Sequence, residues 1–310
     1  MPIARELADF TPTKPTLLTV GVFDGVHIGH QALLQRLASQ ATRLGLIPGV
    51  ITFREHPLAL LSPHEAPLRL ANWAENISII KALGTGMVIP LTFDDALSLA
   101  DARTFALLLQ HHLKMKGLIL GWDFAMGHHR EGTLAALAEL GSQLGFTTEV
   151  MPAVTLGSET VSSTAIRQAL AEGNVSKARA MLGRPFSLEG HVVTGAGRGA
   201  GLGFPTANLC IDAGRVVPAE GVYASRAHLD GESHPSVTAI SQSPTFGGVG
   251  RTVEIHLLEF TGNIYHRTLR LDMIEYLRPP RRFEGAEVLS AQIAHDIAQA
   301  REILSATGCR

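Results

Sequence analysis

Only two cysteines occur in the 310 residues, Cys210 and Cys309. They make neither a disulfide framework nor a zinc site. Fourteen histidines are present, but they are scattered and mostly lack metal-ligand spacing. There is no basic excess: 26 lysines and arginines stand against 28 acids, a net charge of −2. That balance gives no electrostatic footprint for nucleic acid, and no long run of like charge suggests a tail. No uninterrupted apolar run reaches membrane-span length, and the opening "MPIARELADFTPTKP" lacks the apolar core of a signal peptide. The expectation is a soluble cytoplasmic protein without membrane or evident protein partner. Internal repeats and low-complexity segments are also lacking.

What is present is apolar material for two cores, 45% hydrophobic against 17% charged residues. In the first half, strand-like runs alternate with helical patterns. "TLLTVGVF" (16–23), "IPGVITF" (47–53), "MVIPLTF" (87–93), "GLILGWDF" (117–124) and "TTEVMPAV" (147–154) read as strands. Helices are expected over 30–45, near 101–112 and over 131–144. The alternation implies an α/β fold, a Rossmann-like domain with a parallel sheet covered on both faces. Residues 55–74, with three prolines, read as an excursion from the sheet. Two helices follow, 162–173 capped by Ser162 or Ser163, and 174–183 capped by Asn174 and stopped by Gly183. After "GRPF" the pattern changes to short alternating runs separated by glycine or proline, the mark of a small antiparallel β-barrel. A C-terminal helix is expected over 285–308. The expected domains are 1–183 and 184–310.

"GVFDGVHIGHQ" (21–31) ends the first strand and opens the first helix. At that junction a helix N-terminus offers free N–H groups and partial positive charge to a phosphate. His27 and His30 can share one side of the first turn, and Gly25 and Gly29 keep the backbone close to a ligand. Taken alone, the two histidines could equally be capping or surface residues. The segment resembles the signature of the adenylyl/cytidylyltransferase superfamily, and its longer form resembles the FMN adenylyltransferase module of bacterial bifunctional FAD synthetases. "TFREHP" (52–57), "GWDFAMGHHREG" (121–132) and "VSSTAIRQALAEGNVSKARAMLGRPF" (161–186) match that module in order. The resemblance implies that His27 and His30 contact the α-phosphate of ATP. It implies that Ser163, Thr164 and Arg167 bind the β- and γ-phosphates, and that Asp123 orients substrate. Ordinary capping by Ser163, Thr164 or Asp123 is the competing reading. Met126 replaces the usual phenylalanine, and Ala165 an arginine.

"GAGRGAGLGFPTAN" (195–208) has four glycines in its first seven residues, yet no Walker lysine and no helix follow. A Rossmann fingerprint is therefore disfavoured. The stretch resembles the phosphate loop of riboflavin kinases, which implies that Gly197, Arg198, Gly199 and Gly203 close over ATP. If 204–210 is extended, Thr206 and Asn208 share a face, and the resemblance assigns their oxygens to Mg²⁺. Turn chemistry after Pro205 is the alternative. "VEIHLLEF" (253–260) resembles the strand that carries the catalytic base, which points to Glu254; without the match it is a solvent-facing strand glutamate. Arg278 is a further candidate contact to phosphate or flavin. Members usually carry N-[IV]-G where this chain has Ala239 and Ser241, and Y-G where it has Tyr265-His266. These departures bear on the flavin end of the site.

The resemblance implies an enzyme that phosphorylates riboflavin to FMN and adenylylates FMN to FAD, using ATP and Mg²⁺ at each step. An enzyme with one live site, or a non-catalytic flavin-binding regulatory protein on the same scaffold, are the alternatives. A different nucleotidylyltransferase leaves residues 187–305 unexplained.

Overall fold

The segment TLLTV at 16–20 is buried at all five positions, so it needs cover on both faces. A computed structural model supplies that cover and describes residues 2–128, 131–194, 203–243 and 250–307. The chain divides into two compact units, one ending at Ser162 and the other beginning at Ser163.

In the first unit, β1 (Thr16–Val20), β2 (Ile47–Phe53), β3 (Met87–Leu91), β4 (Met115–Gly121) and β5 (Thr147–Met151) form a parallel sheet in the order β3-β2-β1-β4-β5. Pro90 lies on the edge strand β3, where a missing N–H is tolerated. The helices are α1 (Pro2–Ala8), α2 (Ile28–Leu44), α3 (Leu58–Leu61), α4 (Trp73–Ala82), α5 (Asp95–Ser98), α6 (Ala102–Leu113) and α7 (Leu134–Leu144). A two-residue pair, β6 (Thr155–Leu156) and β7 (Glu159–Thr160), ends the unit. Neighbouring strand residues alternate between two cores, as the period of two requires. Leu18, Val20, Ile51, Leu118 and Leu120 pack with Ile3, Leu7, Phe105, Leu109 and Leu137. Leu17, Val50 and Ile119 pack with Leu33, Leu34, Leu37 and Ile80 on the other face. Helices α1 and α4 went unforeseen, as did the single turns α3 and α5. In α1, Ile3 and Leu7 bury one side. Helix α4 starts where the Asn72 side chain accepts from Glu75 N at 2.7 Å.

The second unit opens with α8 (Ser163–Ala171) and α9 (Val175–Leu182). Asn174 caps α9 by accepting from Lys177 N, and Gly183 closes it in the left-handed region. A closed antiparallel barrel follows in the order β10-β11-β12-β9-β8-β13. Its strands are β8 (Phe186–Val193), β9 (Ala207–Ile211), β10 (Gly221–Leu229), β11 (Glu232–Ser243), β12 (Gly250–Leu257) and β13 (Thr268–Arg278). Helix α10 (Ala286–Thr307) lays Ile297, Ala300 and Leu304 on Val222, Ala224, Val237 and Ile274. Each isoleucine, leucine or valine so buried contributes about 1.5–3 kcal/mol. The structural division falls at 162/163, and α9 packs on β8 and β13 of its own unit.

Candidate active sites

The turn between β1 and α2 lies at the carboxyl ends of the strands, where the chain order reverses between β1 and β4. Open α/β sheets bind ligands there. Phe23 (φ 53) and Val26 (φ 37) both occupy the left-handed region, at a cost of about 1–3 kcal/mol each that surrounding contacts must offset. They are held by several contacts. Phe23 and Val26 are buried in the α2 core, and Val26 N donates to Phe23 O at 3.2 Å. Both Asp24 oxygens accept from Leu70 N at 3.0 Å, and Oδ1 also accepts from Ala71 N. Gly25, at φ 76, donates its N–H to Asn76 Oδ1 at 3.1 Å.

His27 is the N-cap of α2, with its Nδ1 accepting from His30 N at 3.2 Å. In the neutral ring the proton therefore sits on Nε2, which is left to donate. The two imidazoles stack with centroids 3.7 Å apart, and Phe23 tilts against His30 at 5.0 Å. A Cβ on Gly29 would lie 3.1 Å from His27 Cε1 and Nδ1, so glycine is what lets the ring lie over the turn. Burial pushes His27 down to about 4. His30 lies well below its ordinary value, through burial first and the neighbouring His27 second. Its Nδ1 is buried without a hydrogen-bond partner. Both rings are thus neutral donors at neutral pH, and the helix N-terminus supplies the positive end of the site.

Beside this turn a partly open cavity is lined by Asp24, Phe53, Arg54, Arg69, Trp73 and Asn76, among others. Its lining combines aromatic rings and guanidinium groups, suited to a flat heterocycle carrying a phosphate. Asp123 sits exposed in the turn that follows β4, where Phe124 N bonds Gly121 O. Met126, in place of the usual phenylalanine, is buried in the first core. Ser163, Thr164, Ala165 and Arg167 lie in the first two turns of α8, in the second unit.

In the barrel, strand register builds a second constellation. Asn208 pairs with Glu254, and Glu254 with Ala239. Directly opposed residues share a face with Cβ atoms about 4.5–5.5 Å apart. Ala207 and Leu209 are buried, while Thr206 and Asn208 between and beside them are partly exposed. Thr206 therefore lies on the Asn208–Glu254 side. The same line continues through Val222 to Arg278. Arg278 is already committed: its Nε and Nη2 bind the Asp296 carboxylate of α10 at 2.8–3.0 Å, and Nη1 binds Pro279 O. The guanidinium thereby clamps α10 to the barrel. Gly203 is left-handed at φ 86. Gly197, Arg198 and Gly199 lie outside the described residues. Ser241 faces Thr252. His266 adopts φ 63, a conformation that suits the glycine usual in its place.

Asp24, Arg54, Arg69, Trp73 and Asn76 went unassigned in the sequence. Asp24 and Arg54 stood inside the quoted motifs; Asn76 had no local signal, because it meets Gly25 across 51 residues. Among the described residues no cluster of three His, Cys, Asp or Glu side chains is spaced for a metal. Among the described residues, the side-chain oxygens that this line brings to one side are the hydroxyl, amide and carboxylate of Thr206, Asn208 and Glu254. That hard set fits Mg²⁺ when phosphates complete it.

A family model for FAD synthetase matches residues 10–165, and one for riboflavin kinase matches residues 182–304. A bifunctional riboflavin kinase/FMN adenylyltransferase from Escherichia coli K12 is 37% identical over 298 residues, 96% of this chain and 95% of that protein. The Pseudomonas fluorescens protein of the same name is 37% identical across both whole chains, and that of Bacillus subtilis 31% across 92% and 91%. A crystal structure named as a macrolide-efflux protein from Streptococcus pneumoniae superposes with a TM-score of 0.89 at 28% identity, covering 95% of this chain and 96% of the other. No described helix here is long and apolar enough to cross a membrane. With both modules matched in order and relatives similar from end to end, the chain belongs to the family of bifunctional riboflavin kinase/FMN adenylyltransferases.

Proposed function

We propose how the two reactions are divided among these residues, with adenylylation assigned to 1–183 and phosphorylation to 184–310. The observation that carries the kinase half is the register pairing of Asn208 with Glu254. Glu254 takes the proton of the ribityl 5′-hydroxyl as its oxygen attacks the γ-phosphorus of ATP, and ADP leaves. Thr206 and Asn208 hold Mg²⁺, which neutralises phosphate charge. Gly197, Arg198, Gly199 and Gly203 are assigned to the ATP phosphates by resemblance. In the other half, FMN occupies the cavity between Phe53 and Trp73, and one of its phosphate oxygens attacks the α-phosphorus of ATP in line. Pyrophosphate leaves without a covalent enzyme intermediate. His27 Nε2–H, His30 and the N–H groups opening α2 donate to the α-phosphate as charge builds. Gly25 and Gly29 allow the close approach. Ser163, Thr164 and Arg167 keep their assignment to the β- and γ-phosphates, and Asp123 to substrate orientation, on the resemblance of their segments. Both reactions draw on ATP, which supports a cytoplasmic enzyme.

The test is chromatographic. Protein, ATP and Mg²⁺ are incubated with riboflavin or with FMN, and the flavins are resolved over time. FAD from both substrates is the expected result. FMN accumulating without FAD overturns the adenylylation site, and FAD from FMN alone overturns the kinase site. Omitting Mg²⁺ is expected to stop both conversions.

A further inference from the structure

Asn76 is buried, 8% exposed, and reaches the β1–α2 turn from α4. Its Oδ1 accepts the Gly25 N–H, two residues before His27. The same side chain lines the cavity beside Asp24, and Asp24 in turn binds the cavity rim through Leu70 N and Ala71 N. One amide thus faces two ways. We propose that Asn76 is a positioning residue for adenylylation, holding the His27–His30 turn in its productive conformation from within the wall of the flavin cavity. This rests on the reading that FMN fills that cavity.

The physical reason lies in the turn itself. It carries two non-glycine residues with left-handed backbone, at Phe23 and Val26, and persists only while its neighbours over-determine it. Gly25 lies between them, so its N–H is where an outside acceptor has most leverage. Losing that acceptor removes a hydrogen bond that holds the strained turn and lets it relax. His27 caps α2 two residues on, and a shift of about 1 Å in a group that must meet the transition state costs on the order of 10²-fold in rate. The flavin side of Asn76 is sensitive to charge instead. A carboxylate there keeps an oxygen acceptor for Gly25 but adds a negative charge next to Asp24, against a phosphate-bearing substrate.

The two chemistries predict a split between kinetic parameters. Asn76→Ala and Asn76→Asp are assayed for FAD formation from FMN, with riboflavin phosphorylation measured in the same samples as a check on the other unit. Asn76→Ala is expected to lower kcat by 10- to 100-fold, with the KM for FMN changed less than threefold. Asn76→Asp is expected to restore kcat to within about threefold of the parent and to raise the KM for FMN about tenfold or more. Unchanged kcat in Asn76→Ala, or an equal loss of kcat in both variants, overturns the positioning role. Unchanged KM in Asn76→Asp overturns the placement of FMN in the cavity, independently of kcat. If Asn76→Ala does not fold, Asn76→Asp decides alone: parental kcat with raised KM supports the proposal, and reduced kcat overturns it.

Discussion

At the scale of single residues, His27 shows how one packing choice sets charge. Burial lowers its proton affinity to about 4, against 6.5 for the free side chain. A folded value below the unfolded one means that the unfolded chain binds the proton more readily between those limits. The neutral ring therefore contributes stability that is complete above pH 6.5 and is lost as pH falls toward 4. The difference between the two ends is about 3 kcal/mol. His27→Gln should flatten this part of the stability curve. Urea unfolding followed from pH 7 to pH 4 checks it, and an equally steep fall in the variant would show that other groups dominate.

At the scale of elements, β9, β12 and β11 bring Asn208, Glu254 and Ala239 into one line. Glu254→Gln keeps the shape and removes the proposed base. It should cut riboflavin phosphorylation by about 10²- to 10⁴-fold and leave FMN adenylylation unaltered. Ala239 is the small neighbour directly across from that base, so Ala239→Leu crowds the reacting hydroxyl. A rise of roughly tenfold in the KM for riboflavin is expected, with adenylylation as the control. Wild-type riboflavin kinetics in Ala239→Leu would move the flavin away from this part of the sheet. Helix α10 is tied to the same line through Arg278 and Asp296, the latter 2% exposed. Asp296→Ala strands the guanidinium and should cost the barrel about 3–5 kcal/mol. Calorimetry should show its transition lowered by roughly 10–20 °C.

At the scale of the whole molecule, the chain is two compact units, each with its own core. Each reaction is assigned to its own side-chain set, with FMN as the free intermediate. A mixture of Glu254→Gln protein, blocked in phosphorylation, and His27→Ala protein, blocked in adenylylation, should then make FAD from riboflavin. Flavin chromatography of the mixture against each variant alone checks this. No FAD from the mixture, with each surviving activity intact, would mean that FMN does not pass between molecules.

Much of this was legible in the chain because it is local. A strand buried on both faces reads as an apolar run whatever its neighbours are, so TLLTV and IPGVITF announced a covered parallel sheet, and IPGVITF kept its bounds of 47–53. Caps such as Asn174 and Gly183 act within one turn of helix and stood out equally well. Motifs singled out His27, His30, Asn208 and Glu254 as candidates for the same reason: each belongs to a short segment of chain. What only tertiary structure decided depends on distant approach. Desolvation of His27, the grip of Asn76 on Gly25 and the commitment of Arg278 to Asp296 arise between segments far apart in sequence. Register works the same way, since a slip of one residue would turn Glu254 and Ala239 to the other face. The sequence by itself determined the elements and the chemical groups they carry; closure of the barrel and packing of the turn decided which groups meet, because burial and strand register are properties of the assembled chain.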